Sequence, residues 1–221
     1  MKAFPLEPIE KASVDELRTL LARLPEPERW VFQFWAYTGV RTGELIGLRW
    51  PRIDLEAKTV RVTETTTLGE DKPRAKTKSG LRTIPLLPAA MEAVEGMKPF
   101  TQLGGDRFAT NPRGRTDDKV WQTNQLERIW KQAHKDTGIP VRTPYELRHT
   151  FASQLLSQGE NAAFIAKLLG HKTIEMVTRS YGRWISEGEQ LGFDKRTRRY
   201  GMERLWGERI RTDVARPGGG C

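Results

Sequence analysis

Apolar residues recur at helical spacing along most of this chain and alternate over only one short region. Ser13-Val14-Asp15-Glu16 forms a capping box, with a hydroxyl at the N-cap and a carboxylate three residues on. It opens a predicted helix that carries Leu17, Leu20, Leu21 and Leu24 on one face and is stopped by Pro25 and Pro27. A second, largely buried helix is predicted from about Glu28 to Tyr37, ended by Thr38-Gly39. A short third helix starts near Thr42 and carries Leu45, Ile46 and Leu48. Residues 53–86 read as β: Val60-Arg61-Val62-Thr63 alternates, and Leu81-Arg82-Thr83-Ile84-Pro85-Leu86 does so again. Between these runs lies a polar, basic loop with Lys72, Arg74, Lys76 and Lys78. Pro88 opens a helix through Met97, and residues 98–118 are rich in turn signals. Helices return at about 119–136, 144–157, 161–169 and 173–184, and the charged segment 186–221 reads as a partly helical tail. This order predicts an α+β domain, mainly α-helical, with a small antiparallel β-sheet.

Composition narrows the function classes. A chain of 221 residues can bury a core without disulfides, and its one cysteine, Cys221, has no internal partner. That favours a reducing compartment. The richest apolar stretch, Trp30 to Val40, is too short to cross a bilayer, and the chain opens on no signal-peptide pattern; cytoplasm, and no membrane partner, is the expectation. Lys and Arg number 37 against 28 Asp and Glu, a formal charge of +9, which favours a polyanionic partner. No phosphate-binding glycine loop and no nucleophile elbow occur. His134, His149 and His171 lack metal-ligand spacing among themselves or with Cys221, so no metal or other cofactor is expected.

What remains are four cation-rich segments, each at a helix start or a strand turn. In Thr38-Gly39-Val40-Arg41-Thr42-Gly43-Glu44-Leu45 glycines flank an arginine that opens a helix, a geometry suited to phosphate. Alone, it reads as an arginine capping a turn and paired with Glu44. The hairpin Lys76-Thr77-Lys78-Ser79-Gly80-Leu81-Arg82 alone reads as a solvated turn. In Pro144-Tyr145-Glu146-Leu147-Arg148-His149-Thr150, Tyr145 and Arg148 share a helix face, beside a core stripe of Leu147, Phe151 and Leu155. Alone, this is an amphipathic helix with an exposed arginine. Leu168-Leu169-Gly170-His171 ends one helix and begins the approach to the next, and Tyr181 follows ten residues later among arginines. Alone, these read as a capping histidine and a surface aromatic.

Taken in order, the segments resemble the signature boxes of the tyrosine recombinase, or phage integrase, family. TGVRTGELIGLRW resembles its first arginine box, KTKSGLRTIPL its β-hairpin lysine box, YELRHTFASQLL its H-x-x-R box, and LLGHKTIEMVTRSYGRW its L-G-H box with the nucleophile after it. The resemblance covers roughly residues 13–185. It implies a catalytic domain over residues 1–185 and a tail over 186–221 of the kind that docks on a neighbouring subunit; Leu205 and Trp206 are expected to pack against a partner domain or back on their own. Nothing in the sequence resembles the family's N-terminal core-binding domain.

The resemblance implies a site-specific recombinase that cleaves and rejoins double-stranded DNA through a 3′-phosphotyrosyl intermediate, in integration or excision of a phage or mobile element. Neither metal nor ATP is implied. The implied partners are DNA, a synaptic tetramer of this chain, and accessory DNA-bending proteins. By position, Arg41 and Arg148 would clamp the scissile phosphate, His171 would bond it or assist proton transfer, and Tyr181 would attack phosphorus. Lys76 would protonate the leaving 5′ oxygen, with Lys78 in support, and Glu44 would orient Arg41. Two guanidiniums match the charge of a pentacoordinate transition state, and a phenol needs an acceptor or a cationic site at neutral pH. Tyr145 stands where the family most often has histidine, and a phenol is a poor proton acceptor; proton transfer from Tyr181 then falls to His171, water or substrate. A nicking-closing topoisomerase of type IB, a DNA-binding module without catalysis, and a metal-dependent nuclease are the competing readings.

Overall fold

The capping box does what its spacing requires. Ser13 Oγ accepts from the Glu16 amide at 3.0 Å, and the Glu16 carboxylate accepts from the Ser13 amide at 2.8 Å. Helix α1 (Val14–Arg23) follows in the computed structural model, with Leu17, Leu20 and Leu21 buried. The structure describes residues 13–67, 70–73, 81–111, 114 and 119–181. Residues 182–221, including Leu205 and Trp206, lie outside them, as do Lys76 and Lys78.

Eight α-helical segments and five strands are seen among the described residues. Helix α2 (Glu28–Thr38) is buried on nearly all sides and ends at Gly39 in the left-handed conformation, φ +61°. Helix α3 (Thr42–Ile46) follows after three residues. Strands β1 (Ile53–Asp54), β2 (Thr59–Val62) and β5 (Arg82–Pro85) form an antiparallel sheet in the order β1-β2-β5. Strands β3 (Glu64–Thr67) and β4 (Glu70–Pro73) form a separate antiparallel hairpin. Helices α4 (Pro88–Thr101), α5 (Thr123–Thr137), α6 (Glu146–Ser157) and α7 (Ala162–Leu169) complete the set, and 175–181 is helical. The predicted α+β class, mainly helical with a small antiparallel sheet, is what the chain adopts.

Two expectations change. The polar stretch after β2 is not a loop throughout, since β3 and β4 pair within it. Ion pairs rather than apolar alternation hold this hairpin: Arg49 bonds Glu64 at 2.9 Å and Asp71 at 2.5 Å, and Arg107 bonds Asp71 at 2.8 Å. Helix α4 runs past Met97 and takes Pro99 into its last turn. Thr101 anchors that turn, donating to the Phe108 carbonyl at 2.8 Å and accepting from Trp50 Nε1 at 3.1 Å.

The core lies between the helices and one face of the sheet. Phe32 stacks on Trp130 at 4.9 Å, Phe34 meets Phe108 at 4.6 Å, and Val60, Val62 and Ile84 fill the sheet face. Close packing also places the hairpin. A Cβ on Gly43 would lie 2.5 Å from Thr65 Oγ1 and 2.8 Å from the Thr66 carbonyl, so only glycine lets α3 approach β3 this closely. The hairpin is thereby seated against α3.

Candidate active site

The site is organised by the C-terminal end of α7. A helix leaves its last carbonyls without intrahelical donors and carries partial negative charge there. Here the Ala166 and Lys167 carbonyls are met by the amides of His171 and Gly170, with Gly170 left-handed at φ +66°. The next three carbonyls each take a guanidinium. Arg82 Nε donates to the Leu168 carbonyl at 2.5 Å, Arg148 to the Leu169 carbonyl at 2.6 Å, and Arg41 to the Gly170 carbonyl at 3.1 Å. Three arginines from distant parts of the chain are thus gathered on three consecutive residues.

A single carboxylate completes the frame. Glu44, almost fully buried, bonds Arg41 at 2.9 Å through the side chain and 2.9 Å through the backbone amide. The same carboxylate bonds Arg82 at 2.6 Å and 3.2 Å. Arg148, 1% exposed, spends its other arm on the Gly39 carbonyl at 2.6 Å. The reading of α6 as a helix with an exposed arginine is therefore excluded. Burial first, then the neighbouring Arg41 charge, lowers Arg82 to about 9. Burial, then Arg41, lowers Arg148 to about 10, with Tyr145 raising it and Arg82 lowering it further. Both stay charged at neutral pH. Arg41, half-buried, is also lowered by burial.

His171 faces this cluster. Burial, then the charges of Arg148, Arg41 and Arg82, and last His149, push it down to about 4, so it is neutral at pH 7. Its Nδ1 is buried and without a hydrogen-bond partner among the described residues. A buried polar nitrogen among three guanidiniums has the chemistry of a ligand to an anion's oxygen.

Tyr181, on the helical segment 175–181, is 1% exposed and not a surface aromatic. Burial pushes its phenol up to about 12, partly offset by Arg148 and reinforced by Tyr145. Its hydroxyl lies 2.5 Å from Nδ1 of His149, one residue after Arg148 on α6. His149 is lowered by burial and by Arg148, so its ring is neutral and able to accept. Tyr145, just before α6, is 42% exposed and packs edge-on against His149 with ring centroids 5.2 Å apart.

Arg41, Glu44, Tyr145, Arg148, His171 and Tyr181 thus belong to one electrostatic cluster. Lys76 and Lys78 lie outside the described residues. Two members were not assigned a place from sequence. Arg82 sits on the core face of β5 and forms a buried ion pair with Glu44; its alternation with Ile84 is the signal in the sequence. His149 lies four residues after Tyr145, so the two share a helix face, which was legible from spacing.

The phage integrase family matches residues 9–184. The prophage integrase IntR of Escherichia coli K12 is 35% identical over 179 residues, covering 71% of this chain and 43% of the relative. A tyrosine recombinase XerC of Roseiflexus sp. RS-1 is 32% identical over 176 residues, covering 73% of this chain and 50% of the relative. The chain therefore spans about half the length of these curated relatives or less. Among solved structures, the XerA recombinase superposes with a TM-score of 0.67 at 22% identity, over 88% of this chain and 67% of that one. The Tn1549 transposon integrase in complex with a circular intermediate DNA superposes with a TM-score of 0.66 at 18% identity, over 87% of this chain and 68% of that one. At these identities the two structures show a shared fold.

Proposed function

The chain belongs to the phage integrase family, and from that premise we propose that it is the catalytic part of a tyrosine-type site-specific DNA recombinase, acting in integration or excision of a phage or mobile element. The observation that carries the reading is the gathering of Arg41, Arg82 and Arg148 on the carbonyls of Leu168, Leu169 and Gly170, with neutral His171 and buried Tyr181 beside them.

In this reading Arg41 and Arg148 hold the non-bridging oxygens of one phosphate in double-stranded DNA, and His171 donates a further hydrogen bond. The guanidiniums offset the charge that accumulates as phosphorus becomes pentacoordinate, which is the largest contribution such a site can make. Tyr181 Oη attacks phosphorus, the bond to the 5′ oxygen breaks, and a 3′-phosphotyrosyl link remains. That link keeps the energy of the broken diester, so rejoining needs neither ATP nor a metal. Lys76 gives a proton to the leaving 5′ oxygen, with Lys78 beside it in sequence; this rests on the sequence pattern alone. Tyr145, in place of the usual histidine, offers its hydroxyl to the phosphate rather than a base. The working assembly is a synaptic tetramer on DNA, with accessory bending proteins, in the cytoplasm of a bacterial cell.

The test is covalent capture on a pool of nicked duplexes of randomised sequence. The protein is expected to form a denaturation-resistant adduct in the presence of EDTA, and Tyr181→Phe is expected to form none. An adduct that survives in Tyr181→Phe, or none from the native protein at any duplex concentration, overturns the proposal. The recovered duplexes also define the preferred site.

A further inference from the structure

A phenol held up near 12 by burial cannot supply a phenolate at neutral pH, so its proton must move to a neighbour as the oxygen bonds phosphorus. The residue at the family's usual histidine position is Tyr145, whose phenol is no base at this pH. His171 is neutral, but the hydroxyl of Tyr181 is directed to another ring. Nδ1 of His149 lies 2.5 Å from Tyr181 Oη, within the range of a strong O–H to nitrogen bond, and the two ring centroids are 5.5 Å apart.

We propose that His149 is a catalytic residue, the base that accepts the Tyr181 proton through Nδ1 during cleavage and returns it during rejoining. The assignment rests on the proposed function, since it deepens the chemistry of the same site. In cleavage the Tyr181 oxygen forms its bond to phosphorus, the bond from phosphorus to the 5′ oxygen breaks, and the phenolic proton passes to Nδ1. His149 becomes an imidazolium, and the 5′ oxygen takes its own proton from Lys76, the donor of the proposed function. In rejoining the 5′ hydroxyl attacks phosphorus and returns its proton to the amine of Lys76, the bond from phosphorus to the tyrosine oxygen breaks, and that oxygen takes its proton back from His149.

The surroundings suit a base that is neutral at rest. His149 is faced by Arg148 from its own helix, by Tyr145 at the N-cap of that helix, by Tyr181 from 175–181, and by His171 from the turn after α7. Burial and Arg148 keep the ring deprotonated, and edge-on packing with Tyr145 fixes its orientation. A bound phosphate diester adds negative charge to the cluster, which offsets Arg148 and makes the imidazolium easier to form when the proton arrives. The geometry thus moves the base by one turn, from position 145 at the N-cap of α6 to position 149 within it.

The experiment measures the rate of Tyr181-dependent adduct formation on nicked duplexes between pH 5.5 and 9.5, with the full chain. His149→Gln keeps a polar side chain without basicity. It is expected to lose about 10²- to 10⁴-fold at pH 7 and to regain rate as pH rises, because the phenol must then ionise unaided. His149→Ala is expected to regain part of its rate with added imidazole. A His149→Gln rate within twofold of the native protein at pH 7 overturns the assignment, as does a loss that neither alkali nor imidazole relieves. The free protein gives a second reading that needs no cleavage. The ¹⁵N resonance of His149 Nδ1 is expected to move in Tyr181→Phe, which removes only the hydroxyl, and an unchanged resonance overturns the pairing. No adduct from the native protein at all overturns the proposed function and this assignment together. An adduct that needs Tyr181 but not His149 overturns this assignment alone.

Discussion

Position alone misleads about single side chains here, because charge and burial coincide. Arg82, Arg148 and Tyr181 each look solvent-facing in their local sequence, yet all are buried. The helix end at Leu168–Gly170 and the Glu44 carboxylate make that burial tolerable, since every guanidinium meets oxygen. Such contacts join residues up to 129 positions apart and leave no trace in periodicity. Arg41, Arg148, His171 and Tyr181 could be singled out only because their order resembles a family pattern. The three histidines carry a consequence for pH. His134, His149 and His171 are all lowered by burial, His171 to about 4. Below about pH 6.5 the unfolded chain takes up protons at these rings while the folded chain refuses them. Stability present above about 6.5 is therefore lost as pH falls toward 4. Thermal midpoints measured from pH 7.5 to 4 should decline, and His171→Gln should decline less steeply; an identical slope would contradict the assigned shift.

At the level of elements, helices with regular apolar spacing were legible. The box at Ser13–Glu16 and the glycine after α2 mark boundaries that the structure keeps within a residue or two. The β3–β4 hairpin was not legible, because its strands lack apolar alternation and are held by Arg49, Arg107, Glu64 and Asp71. Its pairing depends on partners from the α3–β1 connection and from beyond α4, which no local window contains. Gly39 shows how an element boundary serves the site. Its left-handed backbone ends α2 and aims its carbonyl at Arg148, while a Cβ there would lie 2.5 Å from Phe151 Cδ1. Gly39→Ala is expected to cost about 1–3 kcal/mol in denaturant unfolding, from strained φ and overpacking together. Adduct formation should slow as well, since the Arg148 anchor shifts. Unchanged stability would mean that Phe151 yields freely.

For the molecule as a whole, the proposed partner follows from charge. A chain with a formal charge of +9 should hold duplex DNA through counterion release, so affinity should fall steeply between about 50 and 200 mM salt, by tenfold or more. Fluorescence anisotropy on a labelled duplex measures this, and a salt-independent affinity would oppose a phosphate-directed surface. The end of α7 has a further consequence. Leu168, Leu169 and Gly170 contribute no reactive side chain, yet their backbone oxygens fix cations that enter from positions 82, 148 and 41. One residue inserted or deleted in this turn would rotate those oxygens by about 100° and release all three at once. The spacing of an unreactive tripeptide is thus the keystone of the cluster, and length there is constrained more tightly than identity.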